Sequence, residues 1–351
     1  MHALPKKIAI LGSGANGSSI GADLTRAGLD VVLIDQWPEH VAAMRQRGIR
    51  IEMPEETLST DVRAYNLCDV CTFREKFDIV LLVVKAYDAG WAAQLIEPYL
   101  AEDGLLCGVQ NGMTVDAIAR AVGTHRTMGC VIEISSSMFD PGVVKRDSGH
   151  ARSWFAVGAV DPSTKGRETE IAELLEHSGS VQIVDNILAT KWMKLVSNAT
   201  TLVSTAILGL SMQEAAAIPE MRDLMIRAGQ EALDTGSALG HPLLPIFGLQ
   251  ADDLRQSNRV VETLLDYLLA GFTLPSTKTT VLQDWMKGRH SEVEELNGLV
   301  ATSARAIGMA APVNDAITTL ALEIERNGLE PSSGNLERLL AMTGSARARA
   351  H

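Results

Sequence analysis

Two groups of residues in this chain have the types and spacing for chemistry. The first is Lys194 with Asn198, in the run Lys191-Trp192-Met193-Lys194-Leu195-Val196-Ser197-Asn198. On a helix, residues four apart share a face, and Lys191, three before Lys194, lies near that face. Leu188, Trp192, Leu195, Val196, Ala199 and Leu202 make the helix largely buried. A lysine is rarely buried without a partner, so Lys194 either snorkels to solvent or faces a cleft. In a cleft its ammonium can give a proton to an oxygen that is gaining negative charge.

The second group is Gly12-x-Gly14-x-x-Gly17. The apolar run Ile8–Leu11 leads into it, and a helix through Ser18–Arg26, stopped at Ala27-Gly28, leads out. In that order Gly12 permits the tight turn, Gly14 lets the backbone approach a pyrophosphate, and Gly17 lets helix and strand pack closely. The helix N-terminus adds N–H donors and partial positive charge. A second strand, Val31–Ile34, ends in Asp35, about where a dinucleotide site places its ribose-binding acid. A carboxylate there accepts both ribose hydroxyls of NAD and repels the extra phosphate of NADP. Gln36, Trp37 and Pro38 follow, with no arginine beside the acid; Arg45 and Arg47 lie about ten residues on, within reach by folding back. The expected cofactor is NAD(H) in preference to NADP(H).

These groups need a scaffold, and the pattern of the chain supplies one. From the N-terminus to about Val184, short apolar runs alternate with helical ones, the signature of a doubly wound sheet. Phe77–Val84 reads as a buried strand ending at Lys85, and Leu105–Gln110 as another ending at Asn111-Gly112. Ligands of open α/β sheets sit beyond the carboxyl ends of strands, so Lys85 and Asn111 border the crevice of the glycine loop. A strand is expected near Ile49–Ile51, followed by a polar segment through Asp61. Met128–Ile134, Trp154–Val160 and Val181–Val184 are β-like and extend the sheet with antiparallel strands. Past Asn186 the chain becomes almost wholly helical to about Met342. The fold class is therefore α/β, a Rossmann-type sheet followed by an all-α C-terminal domain. The domains are 1–185 for the dinucleotide and 186–345 for substrate and catalysis, with 346–351 a frayed tail.

Composition bounds the function. A chain of 351 residues is long enough for two cores. Its net charge of −12 argues against nucleic acid and anionic membranes as partners. No signal peptide opens it and no apolar run approaches about 20 residues, so a soluble cytoplasmic protein is expected. The four cysteines are too few for a disulfide scaffold. Cys68-x-x-Cys71 lacks two further ligands at matching spacing, so free buried thiols and no metal are expected. In His290-Ser291-Glu292-Val293-Glu294-Glu295, Ser291 and Glu294 stand in capping-box positions, which makes the run a solvated acidic helix start and Glu292 a surface charge.

Taken together, the motifs resemble the ketopantoate reductase (2-dehydropantoate 2-reductase) family over nearly the whole chain. The glycine loop, Val84-Lys85, Gln110-Asn111-Gly112-Met113, Lys191-Trp192-x-Lys194-Leu-x-x-Asn198, Thr280-x-Leu-Gln-Asp284 and Glu292-Val-Glu-Glu-Leu-Asn297-Gly298 occur in the family's order. The resemblance implies NAD(P)H-dependent reduction of a 2-keto acid to a 2-hydroxy acid. It implies Lys194 as general acid and Glu292 as the residue that orients it and the substrate. Asn198, Thr280 and Asn111 would hold the substrate, and Lys85 and Asn111 would border nicotinamide and ribose. Two positions depart from the family: Leu202 stands where a second substrate-binding asparagine is usual, and Thr280 replaces a serine. Other readings are a relative working on a different acid in the oxidative direction, or a non-catalytic NAD(P)-binding regulatory protein. The helical half offers apolar surface for a homodimer.

Overall fold

Runs such as Lys7–Leu11 and Phe77–Leu82 are apolar on both faces, so they are stable only with cover on both sides of a sheet. In the computed structural model, which describes residues 6–254 and 259–344, they become the centre of such a sheet. The strands are β1 (Lys7–Leu11), β2 (Asp30–Asp35), β3 (Ile49–Glu52), β4 (Thr57–Thr60), β5 (Arg63–Asn66) and β6 (Phe77–Leu82). They continue as β7 (Leu100–Val109), β8 (Thr127–Glu133), β9 (Ser136–Ser137), β10 (Val143–Arg146), β11 (Trp154–Ala159) and β12 (Ser180–Ile183). An eight-stranded sheet runs in the order β12-β11-β8-β7-β6-β1-β2-β5. Ile8 and Ile10 of β1 join the core on one face, and Ala9 and Leu11 join the core on the other. The helices of this part are α1 (Ala15–Arg26), α2 (Pro38–Arg47), α3 (Ala89–Ile96), α4 (Val115–Val122) and α5 (Glu168–Leu175).

The edge beyond β7 differs from the sequence expectation in part. β8 pairs with β7 in parallel, β11 with β8 antiparallel, and β12 with β11 in parallel again. The polar segment after β3 is not featureless either. β4 pairs antiparallel with β3, and β10 and β9 complete a second, four-stranded sheet in the order β4-β3-β10-β9. Backbone pairing to β3 holds Thr57–Thr60, where only Thr60 is fully buried, so hydrophobic alternation is too weak to announce the strand. Arg146 on β10 is buried and held by four hydrogen bonds: its guanidinium donates to Asp23 on α1 (2.9 Å), to Ser153 Oγ and to the carbonyls of Ser148 and Ser178.

After β12 come α6 (Ile187–Ile207), α7 (Met212–Ala216), α8 (Pro219–Ala238), α9 (Ala251–Leu254) and α10 (Val260–Gly271). α11 (Thr280–Met286), α12 (Asn297–Ala306), α13 (Pro312–Glu325) and α14 (Asn335–Met342) follow, with no strand among the described residues here. Contacts divide the chain into two compact units, one ending at Lys191 and one starting at Trp192. The tail expected at 346–351 lies outside the described residues. α6 is buried although it carries many hydroxyls, because Thr200, Thr201, Ser204 and Thr205 each donate to the carbonyl four residues earlier. Among the described residues no helix is long and apolar enough to cross a membrane.

Two expectations fail here. Cys107 and Cys130 are buried, but Cys68 and Cys71 are exposed on a short 3-10 helix, because that segment lies on the surface after β5. Cys107 is held well above the usual thiol range by its hydrogen bond to Cys130 and by burial. Among the described residues no group of acidic, cysteine and histidine side chains is placed to hold a metal. Residues 293–296 are turns and no helix starts at Ser291, and Glu292 is buried rather than a surface charge. The backbone N–H of Ser291 donates to Glu325 on α13 (2.6 Å), a long-range bond that replaces the local capping box.

Candidate active site

The glycine loop connects β1 to α1 where the sheet order reverses: β1 lies between β2 and β6. At such a switch point the strand ends part and leave a crevice. Each glycine has a separate cause. Gly12 has φ +96°, and a Cβ there would come within 2.7 Å of Val84. A Cβ on Gly17 would overlap the carbonyl oxygen of Gly12. Around Gly14 a Cβ would meet nothing within 4 Å, so no packing inside the chain requires glycine at that position. Gly14 is also the N-cap of α1, which has no side-chain cap, so the first-turn N–H groups stay available. An open cradle in front of unsatisfied donors fits a pyrophosphate.

The loop is clamped by a residue that pattern reasoning missed. His40 on α2 is completely buried. Its Nδ1 accepts from the backbone N–H of Gly142 at 2.9 Å, so Nε2 carries the hydrogen and donates to the carbonyl of Ser13, also at 2.9 Å. Ser18 Oγ donates to the same carbonyl at 2.7 Å, and Ser136 Oγ donates to Asn16 Oδ1 at 2.6 Å. Burial pushes the His40 pKa down, against the attraction of Asp35. The available signal was its place beside Val41 on the buried side of α2, with Met44 one turn on.

Asp35 closes β2 and is nearly buried; its Oδ1 accepts the N–H of Trp37 at 2.9 Å. The two arginines that could have folded back are engaged elsewhere. Arg45 donates to the Ala64 carbonyl and to Asp69, and Arg47 to the Pro141 carbonyl. Lys85 and Asn111 follow β6 and β7, which are neighbours, and both are half-buried. Gln110 Nε2 ties these ends together by donating to the Val84 carbonyl at 2.9 Å. Lys191 is buried, with Nζ donating to the carbonyls of Gln110 (2.8 Å) and Cys130 (3.1 Å). It therefore anchors strand ends, and the sequence placed it near Lys194 without showing that use.

In the second unit α6 carries Lys194, which is 7% exposed, and Asn198, which is 1% exposed. The Lys194 ammonium stands over the ring of Phe247 at 4.9 Å, a cation–π contact that favours the charged form. Phe247 has φ 61°, a strained conformation for a bulky residue, and packs on Phe272 at 5.3 Å between ring centres. Nothing in the local sequence around Phe247 marks it. Thr279 Oγ1 donates to the Leu202 carbonyl at 2.9 Å and so sets its neighbour Thr280, the first residue of α11, close to α6. Asn297 Nδ2 donates to the Ala199 carbonyl at 3.0 Å, which draws the segment bearing Glu292 to the same stretch of helix.

The first unit thus presents a glycine loop at a sheet switch point, and the second a buried lysine and asparagine on one helix face. Residues 8–159 match the family described as ketopantoate reductase PanE/ApbA, and residues 186–325 match its C-terminal part. The chain belongs to the ketopantoate reductase family. It is 25% identical over 323 residues to the 2-dehydropantoate 2-reductase of Archaeoglobus fulgidus, covering 91% of this chain and 98% of the relative. With the 2-dehydropantoate 2-reductase of Lactococcus lactis it shares 27% over 322 residues, 90% and 96% of the two chains. Among solved structures, a PanE/ApbA family ketopantoate reductase from Ralstonia eutropha JMP134 superposes with a TM-score of 0.76 at 26% identity, over 92% of this chain and 99% of that one. D-mandelate dehydrogenase, solved with NADH and anilino(oxo)acetate, has the same fold, with a TM-score of 0.80 at 22% identity over 92% and 98%.

Proposed function

We propose that this protein reduces a 2-keto acid to the 2-hydroxy acid in the manner of the ketopantoate reductases, with Lys194 as general acid. The observation that carries this reading is the Lys194 ammonium, 7% exposed and standing 4.9 Å over the Phe247 ring. A reduced nicotinamide held by the glycine loop would supply the hydride that the carbonyl carbon receives. As the carbonyl oxygen becomes an alkoxide, Lys194 Nζ gives it a proton, and the dry setting makes that charge most stabilised where it develops. Asn198 and Thr280 hold the substrate, and Glu292 orients Lys194 and the substrate. The domain of 1–185 binds the cofactor through Gly12, Gly14, Gly17, Asp35, Lys85 and Asn111, and that of 186–345 supplies the acid.

The cofactor we propose is NAD(H) rather than NADP(H). Asp35 at the end of β2 and the engagement of Arg45 and Arg47 with other partners support this. The acidic net charge and the free cysteines support a place in the cytoplasm.

The test is a screen of 2-keto acids with NADH and NADPH, followed by Lys194→Ala. Oxidation of NADH by at least one keto acid, lowered about a hundredfold or more in the variant, is expected. Full activity of Lys194→Ala would end the assignment of the acid. No turnover with any keto acid, with 2-hydroxy acids oxidised instead, would assign the oxidative direction. No reaction either way would assign a regulatory NAD(P)-binding role.

A further inference from the structure

We infer that Leu202 makes the substrate side-chain subsite apolar, so that the protein takes 2-keto acids with a hydrocarbon side chain in preference to those bearing a hydroxyl. The inference rests on the proposed reading of Lys194 and Asn198 and goes beyond it to the part of the substrate that does not react. From Ala189 to Leu208 every position of α6 and its end is buried except Leu202, which is half-buried. The same helix buries Lys191, Lys194, Asn198 and several hydroxyls. Burial energetics favour the opposite arrangement, with leucine inside and lysine out. The surface left open at Leu202 is therefore not serving the packing of this helix; it is available to something apolar that comes and goes.

Its position says what that is. Lys194, Asn198 and Leu202 repeat every four residues, one stripe of α6, and Leu202 lies about 6 Å along the axis from Asn198. The Leu202 carbonyl is bonded by Thr279, next to Thr280, so this turn of α6 lies against the start of α11, which carries a proposed substrate anchor. At the other end of the stripe the Phe247 ring gives the Lys194 ammonium an apolar face. A substrate whose carbonyl meets Lys194 and whose carboxylate meets Asn198 and Thr280 presents its side chain to Leu202. A hydrocarbon there gains contact and loses water; a hydroxyl loses water and receives no hydrogen bond from leucine.

Ketopantoate and trimethylpyruvate share a skeleton and differ by one hydroxyl, which makes them the matched probes. The wild-type protein is expected to favour trimethylpyruvate in kcat/KM by about tenfold to a hundredfold. Leu202→Asn is expected to shrink or reverse that ratio by at least about tenfold. An unchanged ratio overturns the inference. Equilibrium binding of the two corresponding 2-hydroxy acids, in the presence of NAD, separates it from the catalytic reading. If no keto acid is reduced yet the deoxy acid binds more tightly than pantoate and Leu202→Asn removes the difference, the apolar subsite stands while the chemistry fails. Equal binding, tighter binding of pantoate, or binding of neither acid overturns it.

Discussion

The Nδ1 of His40 accepts the backbone N–H of Gly142 at 2.9 Å, and this one bond decides the state of the glycine loop. It fixes the tautomer, and only the Nε2–H form can hold the Ser13 carbonyl. With that carbonyl turned into the protein, the N–H groups that follow it are left for phosphate.

His40 is therefore expected to confer a pH dependence. Its pKa in the folded protein is lowered from the ordinary 6.5 by burial, with Asp35 and the Ser13 carbonyl opposing. The neutral form is the native one, so its contribution is complete above pH 6.5 and is lost as pH falls through the lowered folded value. Protonation sets two donors, Nδ1–H and Gly142 N–H, against each other. NADH affinity, measured by fluorescence titration, should fall below that window. His40→Phe should weaken it about tenfold at pH 8, in keeping with one or two orphaned buried groups, and remove its acid dependence. An acid dependence retained in His40→Phe would assign it to another group.

Gly14 and Gly17 should separate folding from binding. Gly17→Ala drives a methyl into the Gly12 carbonyl, so the melting temperature should drop by several degrees or the chain should fail to fold. Gly14→Ala meets nothing within 4 Å in the protein, so its melting temperature should match wild type without cofactor. Its NADH dissociation constant should nevertheless rise, since the methyl occupies the proposed phosphate cradle. Equal NADH affinity in Gly14→Ala would place the pyrophosphate elsewhere.

Asp35→Ala should weaken NADH more than NADPH, because the variant loses the ribose acceptor in one case and a repulsive charge in the other. The ratio of the two KM values is the measurement. A ratio that does not move would remove Asp35 from the ribose site.

Much of the first unit was legible because its signals are local. Ile8–Leu11, the three glycines and Asp35 lie within one βαβ unit, and their order alone dictates a crevice. The second sheet was not legible: Thr57–Thr60 has little apolar pattern, and β10 and β9, which pair onto β3 and each other, come from far along the chain. Glu292 shows how a strong local signal misleads. Ser291 and Glu294 satisfy a capping box on paper, but the Ser291 N–H is taken by Glu325 and Asn297 is drawn to Ala199, so the helix starts later and the acid is buried. Phe247 was invisible for a related reason, since its value comes from a lysine more than fifty positions away.

The clamp on the glycine loop also has a history in time. Gly142 and Arg146, which hold His40 and Asp23, are separated from them by 102 and 123 residues. A chain emerging from the ribosome can pair β1, β2 and β6 long before β10 exists. At about 5–20 residues per second, that interval lasts on the order of 3–12 s. During it the nascent chain carries the glycine motif without either anchor. Dinucleotide affinity is thus a property gained late in synthesis, after most of the first sheet is already in place.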